Sequence, residues 1–159
     1  MKFDTGAHSA LCTEEVNGLM LSYKLINPDI IRALAGAGHG ALVLIADSNY
    51  PASTKLGPNA RVVYLNLTPG IPCATDVLIT LLDSIKVEYA AVMQPDSGPE
   101  PEIFQAFRRL LPAQVEFGRL GRSEFYEAVG SPDACLVIQT GEQRLYANLL
   151  LRIGAIAPR

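Results

Sequence analysis

At 159 residues, with 49% hydrophobic and only 18% charged side chains, the chain has the length of one ordinary domain and apolar content enough for a core without staples. A net charge of −3, with no Lys/Arg grouping beyond the pair Arg108 and Arg109, argues against nucleic acid as a partner, and no apolar run approaches the roughly 18 to 20 residues of a membrane span. The usual charged share is about a quarter, so the composition favours a subunit that hides surface against copies of itself, although a generous core in a monomer reads the same way, and the lack of a basic-then-apolar leader predicts a cytoplasmic protein.

Residues 1–19, MKFDTGAHSALCTEEVNGL, keep neither helical nor strand periodicity and precede a second methionine, Met20. They are predicted to form a poorly ordered extension that takes His8 with it, and residues 20–159 to form a single domain. In YKLINPDIIRALAGAG, Asn27 suits an N-cap, Pro28 the first turn and Asp29 the positive end of the helix dipole. Ile30, Ile31 and Leu34 recur at helical spacing, which predicts a helix over 28–36 stopped by Gly36 and Gly38. ALVLIAD is a continuous apolar run, as in a strand covered on both faces. ARVVYLNL (60–67) reads as a second strand and IPCATDVLITLLDSI as a helix with Thr75 or Asp76 near its start. VEYAAVMQ (87–94) is a strand, PEPEIFQAFRRLL a helix, QVEFGRL a short strand and SEFYEAV a helical turn. ACLVIQTG (134–141) is another buried strand, and YANLLLRIGAI closes the chain.

Alternating apolar strands and amphipathic helices predict an α/β protein: a three-layer α/β/α sandwich around a mostly parallel sheet. Ligands in such sheets gather beyond the carboxyl ends of the strands, which directs attention to Asp47, Ser48, Asn49, Thr140 and Gly141. Cys12, Cys73 and Cys135 are far apart and form no CxxC pair, so neither a disulfide framework nor a metal site is expected. Cys135, inside ACLVIQ, reads as a reduced core residue.

GAGHG, at 36–40, has the glycines of a phosphate loop in the wrong order. A dinucleotide fingerprint runs strand, glycine turn, helix, so that the helix N-terminus faces the phosphate. Here a helix precedes the glycines and a strand follows, which sets them at a helix C-terminus whose partial negative charge repels phosphate. His39 then reads two ways, as a residue stabilising that helix end or as a group for proton transfer. Asp47, eight positions on, opens a turn before Pro51 or binds a ligand. An extended strand would hold the two roughly 25 Å apart. A shared site therefore requires the glycine loop to bend back or the two residues to come from different subunits. Tyr146 and Asn148 would face the same way if RLYANLL is extended, and Arg122 suits hydroxyl or carboxylate binding. Tyr126, Glu124 and Glu127 read as helix residues, and no serine has the setting of a nucleophile.

Together these stretches resemble a known family. AGHGALVLIADSNYP is similar to the GHGD- or GHTD-type signature and following (A/S)DA-type turn of the D-ribose pyranase / L-fucose mutarotase family (RbsD/FucU), and FYE with VIQTGEQRLYANLLLRIGA resembles its closing segment. The resemblance implies a cofactor-free enzyme, requiring no metal, that interconverts ring or anomeric forms of a free monosaccharide of the L-fucose or D-ribose class. It implies His39 as the catalytic residue and Asp47, Arg122, Tyr146, Ala147 and Asn148 as substrate contacts. It also implies a homo-oligomer, a decamer of two stacked pentameric rings with sites between subunits. GHG, NYP and FYE look like the fucose branch; YAN and the LTPGIP…IKVEYAAVM region look like the ribose branch. One departure stands out. Ala41 occupies the position, two after the histidine, where the family usually has Asp. Opening a cyclic hemiacetal needs a proton taken from the anomeric hydroxyl and another given to the ring oxygen, work suited to histidine near neutral pH. The alternative is a sugar-binding protein of the same fold whose catalysis weakened with Ala41.

Overall fold

The computed structural model describes residues 23–158, so the expectations for residues 1–19, His8 and Cys12 lie outside the described residues. In chain order the elements are α1 (Pro28–Gly36), β1 (Leu42–Ala46), β2 (Arg61–Tyr64), α2 (Ala74–Leu82), β3 (Val87–Met93), α3 (Glu102–Leu110), β4 (Glu116–Leu120), α4 (Arg122–Val129), β5 (Ala134–Gln139) and β6 (Leu149–Ile153). The start of α1 is as expected: Asn27 Oδ1 accepts the N–H groups of Asp29 and Ile30, both at 3.0 Å, and Pro28 occupies the first turn. After Gly36 the backbone turns extended at Ala37, and Gly40, at φ +86°, supplies the left-handed step into β1. Helix α2 begins at Ala74, with Thr75 and Asp76 in its first turn; the Asp76 carboxylate reaches back to the Cys73 N–H at 3.1 Å. Glu124 does the same for α4, accepting the Gly121 N–H at 2.8 Å.

The six strands form one sheet in the order β2-β5-β1-β6-β3-β4. Pairs β2/β5, β5/β1 and β3/β4 are parallel, whereas β6 runs antiparallel to both neighbours, β1 and β3. Five strands thus point one way and β6, in the interior, points the other. Alternation divides the core. Val43 and Ile45 of β1 face α1, α2 and α3 with Phe104, Phe107, Leu78 and Leu81, while Leu42, Leu44 and Ala46 face the opposite side with Phe125 and Val129 of α4. All five residues of β1 are buried, as the unbroken apolar run predicts for a strand covered twice. Cys135 is a free thiol, half-buried against the core cluster with Sγ 3.3 Å from the Leu42 carbonyl, at a register irregularity where Leu42 opposes Ala134 and Val43 opposes Leu136. No helix among the described residues is long and apolar enough to cross a membrane.

Candidate functional site

The carboxyl ends of the parallel strands carry a cleft, and the reversed strand completes it. Where β1 stops, Asp47 folds into a turn: its Oδ1 accepts the Asn49 N–H at 3.0 Å and its carbonyl the Tyr50 N–H at 3.3 Å. Gln139, the last residue of β5, fixes that turn from beside, its Nε2 donating to the carbonyls of Asp47, Ser48 and Tyr50 at 3.1–3.3 Å. Because β6 enters from this end, Asn148 arrives against Asp47; its Nδ2 donates to Asp47 Oδ2 at 2.8 Å and its Oδ1 accepts the Asp47 N–H at 3.0 Å. Asp47 is only 3% exposed, and burial pushes its carboxyl pKa up, opposed by the hydrogen bonds from Asn49 and Asn148.

Two further polar groups reach the cleft from elsewhere. Tyr146 lies before β6 with φ +61°, so RLYANLL is not extended there, and its hydroxyl still comes to the cleft beside Asn148. Left-handed backbone at a non-glycine residue is costly and gathers at functional sites. Arg122, the first residue of α4, brings Nη2 to 3.4 Å from the Tyr146 hydroxyl and 3.6 Å from Asp96 Oδ2. The remaining walls are apolar: Pro51, Met93, Leu145 and the ring of Tyr126. The Tyr126 ring centroid lies 5.9 Å from that of Tyr50, whose buried hydroxyl donates to the Lys55 carbonyl at 3.0 Å and has its pKa raised by burial. Hydrogen-bonding groups on one side and aliphatic and aromatic walls on the other suit a small molecule with both hydroxyls and a C–H face.

Thr140, Gly141 and Glu142 support this end of the sheet without lining the cleft. Thr140 Oγ1 donates to the Ala46 carbonyl at 2.8 Å, and a Cβ on Gly141 would overlap the backbone of Thr68 and Ile71. Glu142, 3% exposed, accepts the N–H groups of Arg144 at 2.9 Å and of Ala74, at the start of α2, at 3.2 Å, and pairs with the Arg144 guanidinium at 2.7 Å. Burial works to raise its carboxyl, but these partners prevail and hold the pKa down to about 2.

His39 stands at the other end of β1, exposed, in a separate hollow with Gly38, Gly40, Pro132 and Asp133. Its Nε2 lies 2.9 Å from Glu88 Oε2 at the start of β3. Within one chain, therefore, the glycine loop does not bend back to Asp47. The structure gathers Asp47, Arg122, Tyr146 and Asn148, leaves His39 apart, and buries the Ala147 side chain in the core. Met93 and Leu145 escaped the sequence reading, although Met93 ends β3 at the same edge where Asp47 follows β1, and the strand-end rule finds it once β3 is known to be parallel to β1. Glu88 left no local signal, being 49 residues from His39.

A family model described as the RbsD / FucU transport protein family matches residues 20–156. A D-ribose pyranase of Symbiobacterium thermophilum is 34% identical over 130 residues, covering 82% of this chain and 94% of that protein. A fucose mutarotase of Bos taurus is 32% identical over 144 residues, covering 85% of this chain and 92% of that protein. The solved structure of Bacillus subtilis RbsD complexed with D-ribose superposes with a TM-score of 0.75 at 27% identity, covering 87% of this chain and all of that one.

Proposed function

The chain belongs to the RbsD / FucU transport protein family, and from that membership we propose that it is a cofactor-independent isomerase interconverting the anomeric or pyranose and furanose forms of a free monosaccharide of the L-fucose or D-ribose class. The observation that carries this reading is the meeting of Asp47, Arg122, Tyr146 and Asn148 at one cleft from three separate parts of the chain. The relatives named D-ribose pyranase and fucose mutarotase support the same chemistry.

In this mechanism Asp47, Asn148, Tyr146 and Arg122 hold the sugar hydroxyls, with Ala147 setting the spacing between its neighbours. His39 reaches the sugar from an adjacent subunit, consistent with its place at the far end of β1. The imidazole takes the proton of the anomeric hydroxyl and passes it to the ring oxygen as the C–O bond of the ring breaks and an open-chain aldehyde forms. Attack by a hydroxyl on either face of the aldehyde recloses the ring with the protons returned, so atoms balance and no electrons are transferred. Such proton transfer calls for neither a metal nor a redox cofactor. The assembly proposed is a decamer of two pentameric rings with sites between subunits.

Two-dimensional exchange NMR with D-ribose and L-fucose tests the reading. The wild-type chain should accelerate exchange between sugar forms, and His39→Ala should lose about 10²–10⁴ of that rate while sparing much of the binding. No acceleration by the wild type, with binding retained, would instead favour the second reading, a sugar-binding protein weakened in catalysis, which Ala41 motivates. An unchanged rate in His39→Ala would return this histidine to a helix-end role.

A further inference from the structure

We infer that Glu88 is the positioning residue for His39, supplying from β3 the carboxylate that Ala41 does not provide. The inference rests on the reading of His39 as the proton-transfer group.

Three independent features place Glu88 there. The first is the bond itself, His39 Nε2 to Glu88 Oε2 at 2.9 Å, joining the loop before β1 to the start of β3 across the intervening β6. The second is a register irregularity. Val87 opposes Ile153 and Tyr89 opposes Arg152, so Glu88 is the extra residue on β3, and such bulges re-aim a side chain that a regular ladder would direct elsewhere. The third is Gly154, just past β6: a Cβ there would press on Glu88 Cβ at 3.2 Å, so the absent side chain lets the β3 bulge seat Glu88 close against the end of β6. Backbone bonds from the same stretch hold both partners, Gly40 N–H to the Ile153 carbonyl at 2.9 Å and Gly154 N–H to the Lys86 carbonyl at 2.8 Å.

The chemistry follows from what each atom can do. An ionised carboxylate only accepts hydrogen bonds, so Nε2 must carry the hydrogen and Nδ1 is left with its lone pair. Glu88 thereby selects one tautomer, assigns proton exchange with the sugar to Nδ1, and places its negative charge 2.9 Å from Nε2 on the far side of the ring. As an exposed pair it contributes little to folding. Removing it should leave the fold intact and act on the reaction.

The test is Glu88→Gln, which keeps the shape and removes the charge, together with Glu88→Ala and Gly154→Ala, which presses on Glu88 Cβ and shifts the side chain. Sugar exchange at saturation should fall about tenfold in Glu88→Gln, a part of the 10²–10⁴ that acid–base catalysis is worth, and in the same direction in the other two. Sugar affinity should stay within about twofold, since the hydroxyl-binding groups lie at the other end of the chain's sheet. Long-range ¹H–¹⁵N spectra should show His39 as the Nε2–H tautomer in the wild type and a mixture in Glu88→Ala. An unchanged rate in Glu88→Gln and Glu88→Ala, with His39→Ala inactive, would overturn the role of Glu88 alone. An unchanged rate in His39→Ala would overturn it together with the reading on which it rests.

Discussion

Asn148 holds Asp47 at two points, taking its backbone N–H with Oδ1 and giving its own amide hydrogen to the carboxylate with Nδ2, at 3.0 and 2.8 Å. One side chain thus ties the exit of β1 to the entry of β6. Asp47→Asn breaks this arrangement. Both carboxylate oxygens accept in the native chain, one from Asn49 and one from Asn148, and an amide can accept with only one atom. Flipping Asn148 would rescue that contact only by losing the other. Relief from burying a charge offsets part of the cost, and the expected loss is about 1 kcal/mol of stability with weaker sugar binding and a smaller effect on exchange at saturation. Denaturant melts and sugar titration check both; unchanged affinity would remove Asp47 from the binding site.

Glu142 makes stability depend on acid. Its folded pKa of about 2 lies below its value in the unfolded chain, near 4.5. Its contribution, up to about 3 kcal/mol, is therefore present above pH 4.5 and lost as pH falls towards 2. Asp47 acts in the opposite sense, because its raised carboxyl takes a proton more readily in the folded chain. Unfolding by denaturant across this range should show stability falling with pH in the wild type and a flatter profile in Glu142→Gln, below the wild type above pH 4.5 and approaching it towards pH 2. Equal acid slopes in the two proteins would show that Arg144 and the α2 N-terminus do not hold this charge.

Assembly is the third expectation. Leu67, 82% exposed, and Leu145, 68% exposed beside the cleft, join Tyr64 and Ile71 as large apolar side chains left uncovered in a single chain. Multi-angle light scattering at micromolar concentration should report a large homo-oligomer, ten chains in the proposed arrangement. A monomer there would also remove the proposed route by which His39 reaches Asp47's cleft.

The sequence carried the elements more fully than their geometry. Asn27-Pro28-Asp29 marks the start of α1 because capping chemistry is local, and ALVLIAD reveals a doubly covered strand because burial leaves no polar alternation. Strand periodicity has no direction, however, so nothing in YANLLLRIGAI says that β6 runs against its neighbours. Four polar members of the cleft, Asp47, Arg122, Tyr146 and Asn148, were legible through motif and resemblance, and the distance of His39 from Asp47 followed from strand length alone. Met93, Leu145 and Glu88 were not, since each acquires its meaning from a pairing between distant strands.

The reversed central strand also bears on how the protein is made. Of the six strands described, β6 leaves the ribosome last, yet it fills the gap between β1, completed about a hundred residues earlier, and β3. Until it emerges, each of those buried apolar strands waits with one bare hydrogen-bonding edge, the β2-β5-β1 half of the sheet separate from the β3-β4 half. The nascent chain thus holds two partial sheets, and a product that stops before Asn148 presents two sticky edges and neither Asn148 nor Gly154. The proposed sugar site, the seating of Glu88 and the covering of both edges all depend on the same late segment.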